Sequence, residues 1–399
     1  MGTTADPPIS GYPASMLPIL LHAESTANAD MYAATGFLAG DPFGCLIDGD
    51  SLVLLVGDFE RPRAQRESRA TEVVIGSELG LAELFGRGIS IEEIERELTV
   101  RLLDRHGVRE LIVPDWLPVA LADRIRAEGI ELHVRSELMA ERRRSKSAAD
   151  LASTIEAQRV TSASMELIRS LLRASTRDAD GALMLDGSPL TSERVQGEIR
   201  VLWAREGCEG ETPIVAGGVQ SADGHELGRG PLRAGEPIVC DLFPRHTAGR
   251  HHADMTRTFC VGEPPAQLVE MHAAVCAALE EARSQLRPGV LGSDLNRRMC
   301  EVLRDHGHGS QLFPRESIEG AKSSVCDHSL GHGVGLEIHE QPMLGRSGHS
   351  PLVVGDVVTI EPGLYDPAFG GVRVEDLCVI TESGATTLTS FPFGLSVAP

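Results

Sequence analysis

The sequence predicts an α+β protein of two domains, a smaller N-terminal α/β domain over residues 1–146 and a larger C-terminal domain over 147–399. Three observations carry that expectation. A chain of 399 residues is longer than one core usually organises. Its first part alternates short strand-like runs with helix-like ones. Beyond Ser147 the character changes, and Gly, His, Asp and Glu gather around short apolar runs.

Taken in order, the first signal is a hairpin. Asp48-Gly49-Asp50-Ser51 separates Cys45-Leu46-Ile47 from the apolar stretch Leu52 to Val56. Ser90 with Glu93 forms a capping box, after which Ile91, Ile94, Leu98 and Leu102 recur at helical spacing until Gly107 stops the helix. Leu111 to Val113 predicts a strand, Leu117 to Ala127 a helix and Ile130 to Val134 another strand. A long helical pattern from Ser147 to Leu172 then bridges to the second half. Helices are expected at 192–205, 264–286 and 294–306, with strands near Ile238, Thr256, Val353 and Val374.

Composition narrows the function classes. A net charge of −21 repels polyphosphate backbones, so nucleic acid is not an expected partner. The basic run Arg142-Arg143-Arg144-Ser145-Lys146 reads as the solvated face of a linker. No apolar run is long enough to span a bilayer, and Met1 to Ala14 lacks the basic-then-apolar pattern of a secretory leader. A cytoplasmic protein with reduced, mostly buried thiols is therefore expected, since its eight cysteines stand singly with no CxxC pair.

The chemistry is concentrated in five short segments: Val239-Cys240-Asp241, Ala253 to Thr258, Gly331-His332-Gly333, Thr359 to Gly363 and Val372 to Asp376. Asp241, Glu361 and Glu375 each follow an apolar strand-like run, so burial of the run carries the carboxylate inward. Buried carboxylates must be paired or must hold metal. Two divalent cations would neutralise four such carboxylates, and oxygen donors with one imidazole suit manganese, cobalt, iron or zinc. A pair of ions about 3.5 to 4 Å apart activates a shared water and clamps a developing oxyanion, which makes peptide hydrolysis the natural reaction class.

In these segments the sequence resembles the pita-bread metallopeptidases, especially prolidase and aminopeptidase P. The motifs are Asp254-Met255-Thr256-Arg257-Thr258-Phe259, Gly331 to Glu340, Thr359 to Tyr365 and Val372 to Asp376. The resemblance implies a pita-bread (creatinase/aminopeptidase) C-terminal domain behind a creatinase-like α/β N-terminal domain. It implies two divalent metal ions, manganese foremost, with Asp241 chelating one, Asp254 and Glu375 bridging, and His332 with Glu361 on the other. Glu361 resembles the family's general base, while His225 and His339 resemble the imidazoles that position the substrate carbonyl. Arg373 is expected to anchor substrate or to pair with a carboxylate such as Asp376. The implied activity is hydrolysis of Xaa-Pro bonds in dipeptides or short proline-containing peptides by a homodimer. The alternatives are an Xaa-Pro aminopeptidase on longer peptides, a metal-free creatinase-like hydrolase, or a non-enzymatic binding homologue.

The chain departs from the family pattern in two places. Asp241 is followed by Leu242-Phe243-Pro244-Arg245 instead of Asp-x-Gly, with thirteen positions to Asp254, which implies a longer loop beside the site. The segment Ser221 to Gly224 lacks the proline common before the first substrate histidine. His251 and His252 are read as solvated or supporting side chains, and His306 and His308 as partners of helix-terminal carbonyls.

Overall fold

The computed structural model describes residues 17–398, so the leader reading of Met1 to Ala14 lies outside the described residues. The chain divides between Arg143 and Arg144 into two compact units.

The first unit is built on a six-stranded mixed sheet. The expected hairpin forms its centre: Phe43–Asp48 and Ser51–Val56 pair antiparallel, with Asp48 opposite Ser51 across a two-residue turn. Gly49 takes a left-handed φ of 56° there, a conformation that favours glycine. Glu110–Val113 and Glu131–Val134 extend the sheet in parallel. Helix Ile91–Arg105 starts with the reciprocal Ser90–Glu93 capping box and buries Ile94, Leu98 and Leu102 against one face of the sheet. The opposite face is covered by a second apolar cluster around Leu21, Phe37 and Leu54.

The second unit begins with the long helix Ala148–Ala174, capped by a Ser147–Asp150 box. Its buried positions Ala157, Thr161, Ser164, Ile168 and Leu172 recur every three or four residues, so one face packs inward. Buried hydroxyls on that face are satisfied locally, Ser164 by donating to the Val160 carbonyl and by accepting from Trp203 Nε1 at 3.0 Å. With helix Ser192–Arg205 it covers a four-stranded sheet of Ile214–Gly217, Ile238–Leu242, Met255–Val261 and Ser396–Val397. Helices Ala266–Ser284 and Gly292–Asp305 pack in the same way on the strands Val357–Ile360, Gly363–Asp366, Gly370–Arg373 and Asp376–Thr381.

Two expectations are corrected here. No strand forms at Val353: Val353 and Val354 are exposed, Gly355 turns the chain at φ 94°, and the strand begins at Val357. The basic run is no solvated face. Arg143 meets Asp30 at 3.1 Å, Arg144 grips buried Asp356 through two nitrogens at 3.0 and 2.7 Å, and the Lys146 ammonium pairs with Glu340 with both side chains 2% exposed. The acidic partners of Arg144 and Lys146 lie about two hundred positions away in sequence, which is why a local reading misplaces these cations. Among the described residues no helix is long and apolar enough to cross a membrane. All eight cysteines are free thiols, and Cys276 alone among them is not fully buried.

Candidate metal centre

Strand periodicity assembles the site. In Ile238–Leu242 the side chains of Ile238, Cys240 and Leu242 enter the core, so Val239 and Asp241 point to the opposite face. The neighbouring antiparallel strand sets Asp241 across from Thr256. Asp254, two residues before Thr256, shares that face. The same rule acts on the second sheet: Val358 and Ile360 are core residues, so Thr359 and Glu361 face the site.

His332 lies on the short strand Gly331–Gly333, whose neighbours crowd its backbone. A Cβ on Gly331 would stand 2.2 Å from the Thr359 carbonyl oxygen, so only glycine lets the strand lie this close. The His332 amide donates to Thr359 Oγ1, and its Nδ1–H donates to the Gly333 carbonyl at 3.1 Å. That bond orients the ring and turns Nε2 toward Glu361 Oε1 at 3.3 Å and Asp254 Oδ2 at 3.8 Å. Glu375 sits in the turn between Gly370–Arg373 and Asp376–Thr381, where its amide donates to the Thr256 carbonyl and its Oε2 accepts from Thr256 Oγ1 at 2.8 Å.

The structure thus brings together Asp241, Asp254, His332, Glu361, Glu375 and Arg373. Ligand atoms of Asp254, His332 and Glu375 fall within 4.8 Å of one another, all three residues buried. His339 joins them, its ring packed edge-on against His332 with centroids 4.2 Å apart. His225 is exposed and anchored through its backbone, its amide donating to Asp223 Oδ1. Arg373 is buried and does not pair with Asp376 as the alternative reading had it. It donates to Asp241 Oδ2 at 2.7 Å and to the Tyr365 hydroxyl at 2.8 Å, whereas Asp376 is held by Arg257 and Arg283.

Electrostatics marks the cluster as charge-frustrated. Burial, then the negative charges of Glu375, Asp241 and Glu361, push the Asp254 carboxyl well above its usual range. Glu375 is raised by burial and by Glu361 and Asp241. For Glu361 burial acts upward, but the His332 hydrogen bond and charge prevail and hold it down at about 2. Burial keeps His339 below its ordinary value, with the His332 charge acting the same way. Buried Asp241 Oδ1 and Asp254 Oδ1 have no hydrogen-bond partner. Orphaned carboxylate oxygens in a like-charged cluster with one oriented imidazole are the donor set that divalent cations satisfy.

Two functional candidates, His328 and Arg257, escaped the sequence reading. His328 Nε2 meets the Tyr365 hydroxyl at 2.9 Å, on the Arg373 side of the site, and the charge of Glu361 bears on it. Its position four residues before His332 on a strand-rich stretch was the available signal. Arg257, 2% exposed, donates to the Glu375 carbonyl at 2.6 Å and to Asp376 at 2.9 Å, so it props the turn that carries Glu375. The remaining histidines lie elsewhere. His251 is buried against Gly249 and Asp150, not solvated, and His252 donates from Nδ1 to the Phe243 carbonyl. His306 caps its helix, and buried His308 donates its amide to the Leu303 carbonyl at 2.9 Å while its ring bonds Ser324 Oγ at 2.8 Å.

The longer Asp241–Asp254 connection folds back on itself, the Ala253 amide donating to the Pro244 carbonyl, and against the segment after His332, the His252 amide donating to the Gly335 carbonyl at 2.8 Å. Arg245–His246 forms a small antiparallel ladder with Cys208–Glu209, and Arg245 bridges His252.

Comparison with known proteins agrees with this geometry. The model of metallopeptidase family M24 matches residues 152–382. The Xaa-Pro dipeptidase of Pyrococcus furiosus is 34% identical over 218 residues, 53% of this chain and 58% of that protein. The Xaa-Pro dipeptidase of Pyrococcus horikoshii is 30% identical over 237 residues, 56% of this chain and 63% of its own. The chain thus spans about three fifths of the length of these curated relatives. Among solved structures, the prolidase of Pyrococcus horikoshii superposes with a TM-score of 0.75 at 24% identity, covering 96% of both chains. The X-Pro aminopeptidase of Thermotoga maritima gives 0.76 at 22%, covering 96% of this chain and 98% of that one. These likenesses establish the two-domain pita-bread fold. Since the family match spans every one of the clustered carboxylates together with His332, the chain belongs to metallopeptidase family M24, whose members work with divalent metal ions.

Proposed function

We propose that this protein hydrolyses Xaa-Pro peptide bonds in dipeptides or short peptides, as a prolidase-like enzyme. The observation that carries the reading is the pair of orphaned buried oxygens, Asp241 Oδ1 and Asp254 Oδ1, beside the Nε2 of an oriented His332. In this reading Asp241, Asp254, His332, Glu361 and Glu375 hold two divalent cations. Manganese is our first choice, with cobalt, zinc or iron as the others, because the donors are carboxylate oxygens and one imidazole. When bound, the cations polarise the scissile carbonyl and make a water acidic.

The chain's own residues do the rest. Glu361 takes the proton of the attacking water and returns it to the departing nitrogen. His339, held neutral, offers a hydrogen bond to the carbonyl oxygen, and His225 serves the same oxygen from the exposed side. Arg373 orients Asp241 and anchors substrate. Homodimerisation and a cytoplasmic location complete the proposal, the latter supported by the free thiols.

The second reading, Xaa-Pro aminopeptidase, is favoured by a structural likeness equal to that of the prolidase. A paired assay separates the two. The protein, reconstituted with manganese, cobalt or zinc, is given an Xaa-Pro dipeptide and an Xaa-Pro-containing tripeptide. Cleavage of the dipeptide alone supports the dipeptidase, cleavage of the tripeptide supports the aminopeptidase, and cleavage of neither under any metal refutes both.

A further inference from the structure

The cation pair Arg144 and Lys146 is not used by the chemistry above, yet each reaches the start of a strand that borders the site. Arg144 grips Asp356, the residue before Val357–Ile360, and Glu361 follows directly on that strand. The Lys146 ammonium meets Glu340, the first residue of Glu340–Leu344 and the residue immediately after His339. The Lys146 amide also donates to the Gly355 carbonyl at 3.5 Å, which keeps this segment against the turn before Asp356.

The Glu340 contact has the more direct path to an active group. The chain between His332 and His339 is a short excursion whose ends pair in the sheet, Gly333 standing opposite Glu340. Inside it, the Gly335 amide donates to the Glu337 carbonyl, and the Gly335 carbonyl accepts from the His252 amide at 2.8 Å. The Glu340 carboxylate folds back beneath this loop. A Cβ on Gly335 would lie 2.3 Å from Glu340 Oε1 and 2.6 Å from its Cδ, so the loop backbone rests on that carboxylate. A buried carboxylate in this place needs a buried cation to hold it.

We propose that Lys146 is a positioning residue for His339: by fixing the Glu340 carboxylate under the 334–339 loop, it sets the edge-on placement of the His339 ring against His332. The proposal rests on the reading of His339 as the imidazole that faces the scissile carbonyl. Lys146 acts through Glu340, which its ammonium meets. A side chain that only stabilised the fold would be replaceable by any arrangement that leaves no lone charge. A positioning residue would not.

That difference defines the test. Lys146→Met alone removes the ammonium from a buried carboxylate and serves as the destabilised control. The double variant Lys146→Met/Glu340→Gln removes both charges at similar volume. Expected for the full-length double variant are a melting temperature near that of the wild type, unchanged metal content by elemental analysis, and kcat on an Xaa-Pro dipeptide lowered about 10- to 100-fold with KM little changed, the scale of an imidazole displaced by about 1 Å. A crystal structure of the double variant is expected to show the His339 ring moved away from its 4.2 Å centroid separation to His332. Wild-type kcat in the double variant, or an unmoved ring, overturns the proposal. A wild-type protein that cleaves no Xaa-Pro substrate refutes the functional reading instead, and the ring position then decides the role of Lys146 alone.

Discussion

Arg373 donates to Oδ2 of Asp241 at 2.7 Å while Oδ1 of the same carboxylate is buried with no hydrogen-bond partner. In our reading one oxygen is thereby committed to orientation and the other to the metal. Replacing Arg373 by Met should lower affinity for manganese about 10- to 100-fold, the usual loss when the support of a ligand is removed. Calorimetric titration of the metal-free variant checks this, and wild-type affinity would show that Asp241 orients itself.

Glu361→Gln keeps the volume and removes the proton acceptor. Turnover should fall by about 10²- to 10⁴-fold, with the melting temperature of the metal-free protein changed far less. Steady-state kinetics at saturating substrate would detect it, and near-normal turnover would take the base role from Glu361.

Asp254→Asn should act with opposite signs in the two states of the protein. Metal-free, Asp254 is crowded by burial and by the charges of Glu375, Asp241 and Glu361, so a neutral amide should raise the melting temperature or leave it unchanged. Metal-loaded, the variant should hold fewer than the wild-type number of ions, since in our reading this carboxylate serves both. Calorimetry and elemental analysis on one preparation test the two halves together, and unchanged metal stoichiometry would remove Asp254 from the bridge.

His308, fully buried, has its pKa lowered from 6.5 to about 4 by burial. The sign follows directly: the unfolded chain takes up the proton first, so the stability of the neutral ring is present above pH 6.5 and is lost as pH falls through about 4. His308→Gln should flatten the acid decline of unfolding free energy in that window by about 1.4 kcal/mol per pH unit, one proton's worth. Comparing wild type and variant cancels the other titrating groups. Parallel curves would show that His308 is not neutral in the fold.

Arg144→Ala leaves Asp356, wholly buried, without its bidentate partner. The expected destabilisation is about 3 to 5 kcal/mol, whereas truncating a solvated arginine would cost within about 0.5 kcal/mol. Urea denaturation distinguishes the two values.

These cases also show which parts of the molecule were legible in its sequence. Local signals held: the hairpin at Gly49, the capping box at Ser90, the long helix from Ser147 and helix Ser192–Arg205 all depend on residues within a few positions of one another. The gathering of Asp241, Asp254, His332, Glu361 and Glu375 was anticipated from the resemblance, because each lies at a strand or strand end whose alternation is readable. What escaped was long-range pairing. Nothing near Arg144 announces Asp356, nothing near Lys146 announces Glu340, and the choice of Arg373 between Asp376 and Asp241 is made by a sheet register that only the fold supplies. The strand expected at Val353 failed because two valines before a turn glycine match a strand in composition while lying outside any ladder.

The side ladder of Arg245–His246 on Cys208–Glu209 leaves Asp241 locked opposite Thr256 whatever the length of chain between them. The same connection braces the segment before His339, since the His252 amide donates to the Gly335 carbonyl at 2.8 Å, so a change in its length would be felt at that ring. An engineer seeking to alter what reaches the catalytic residues would graft there first.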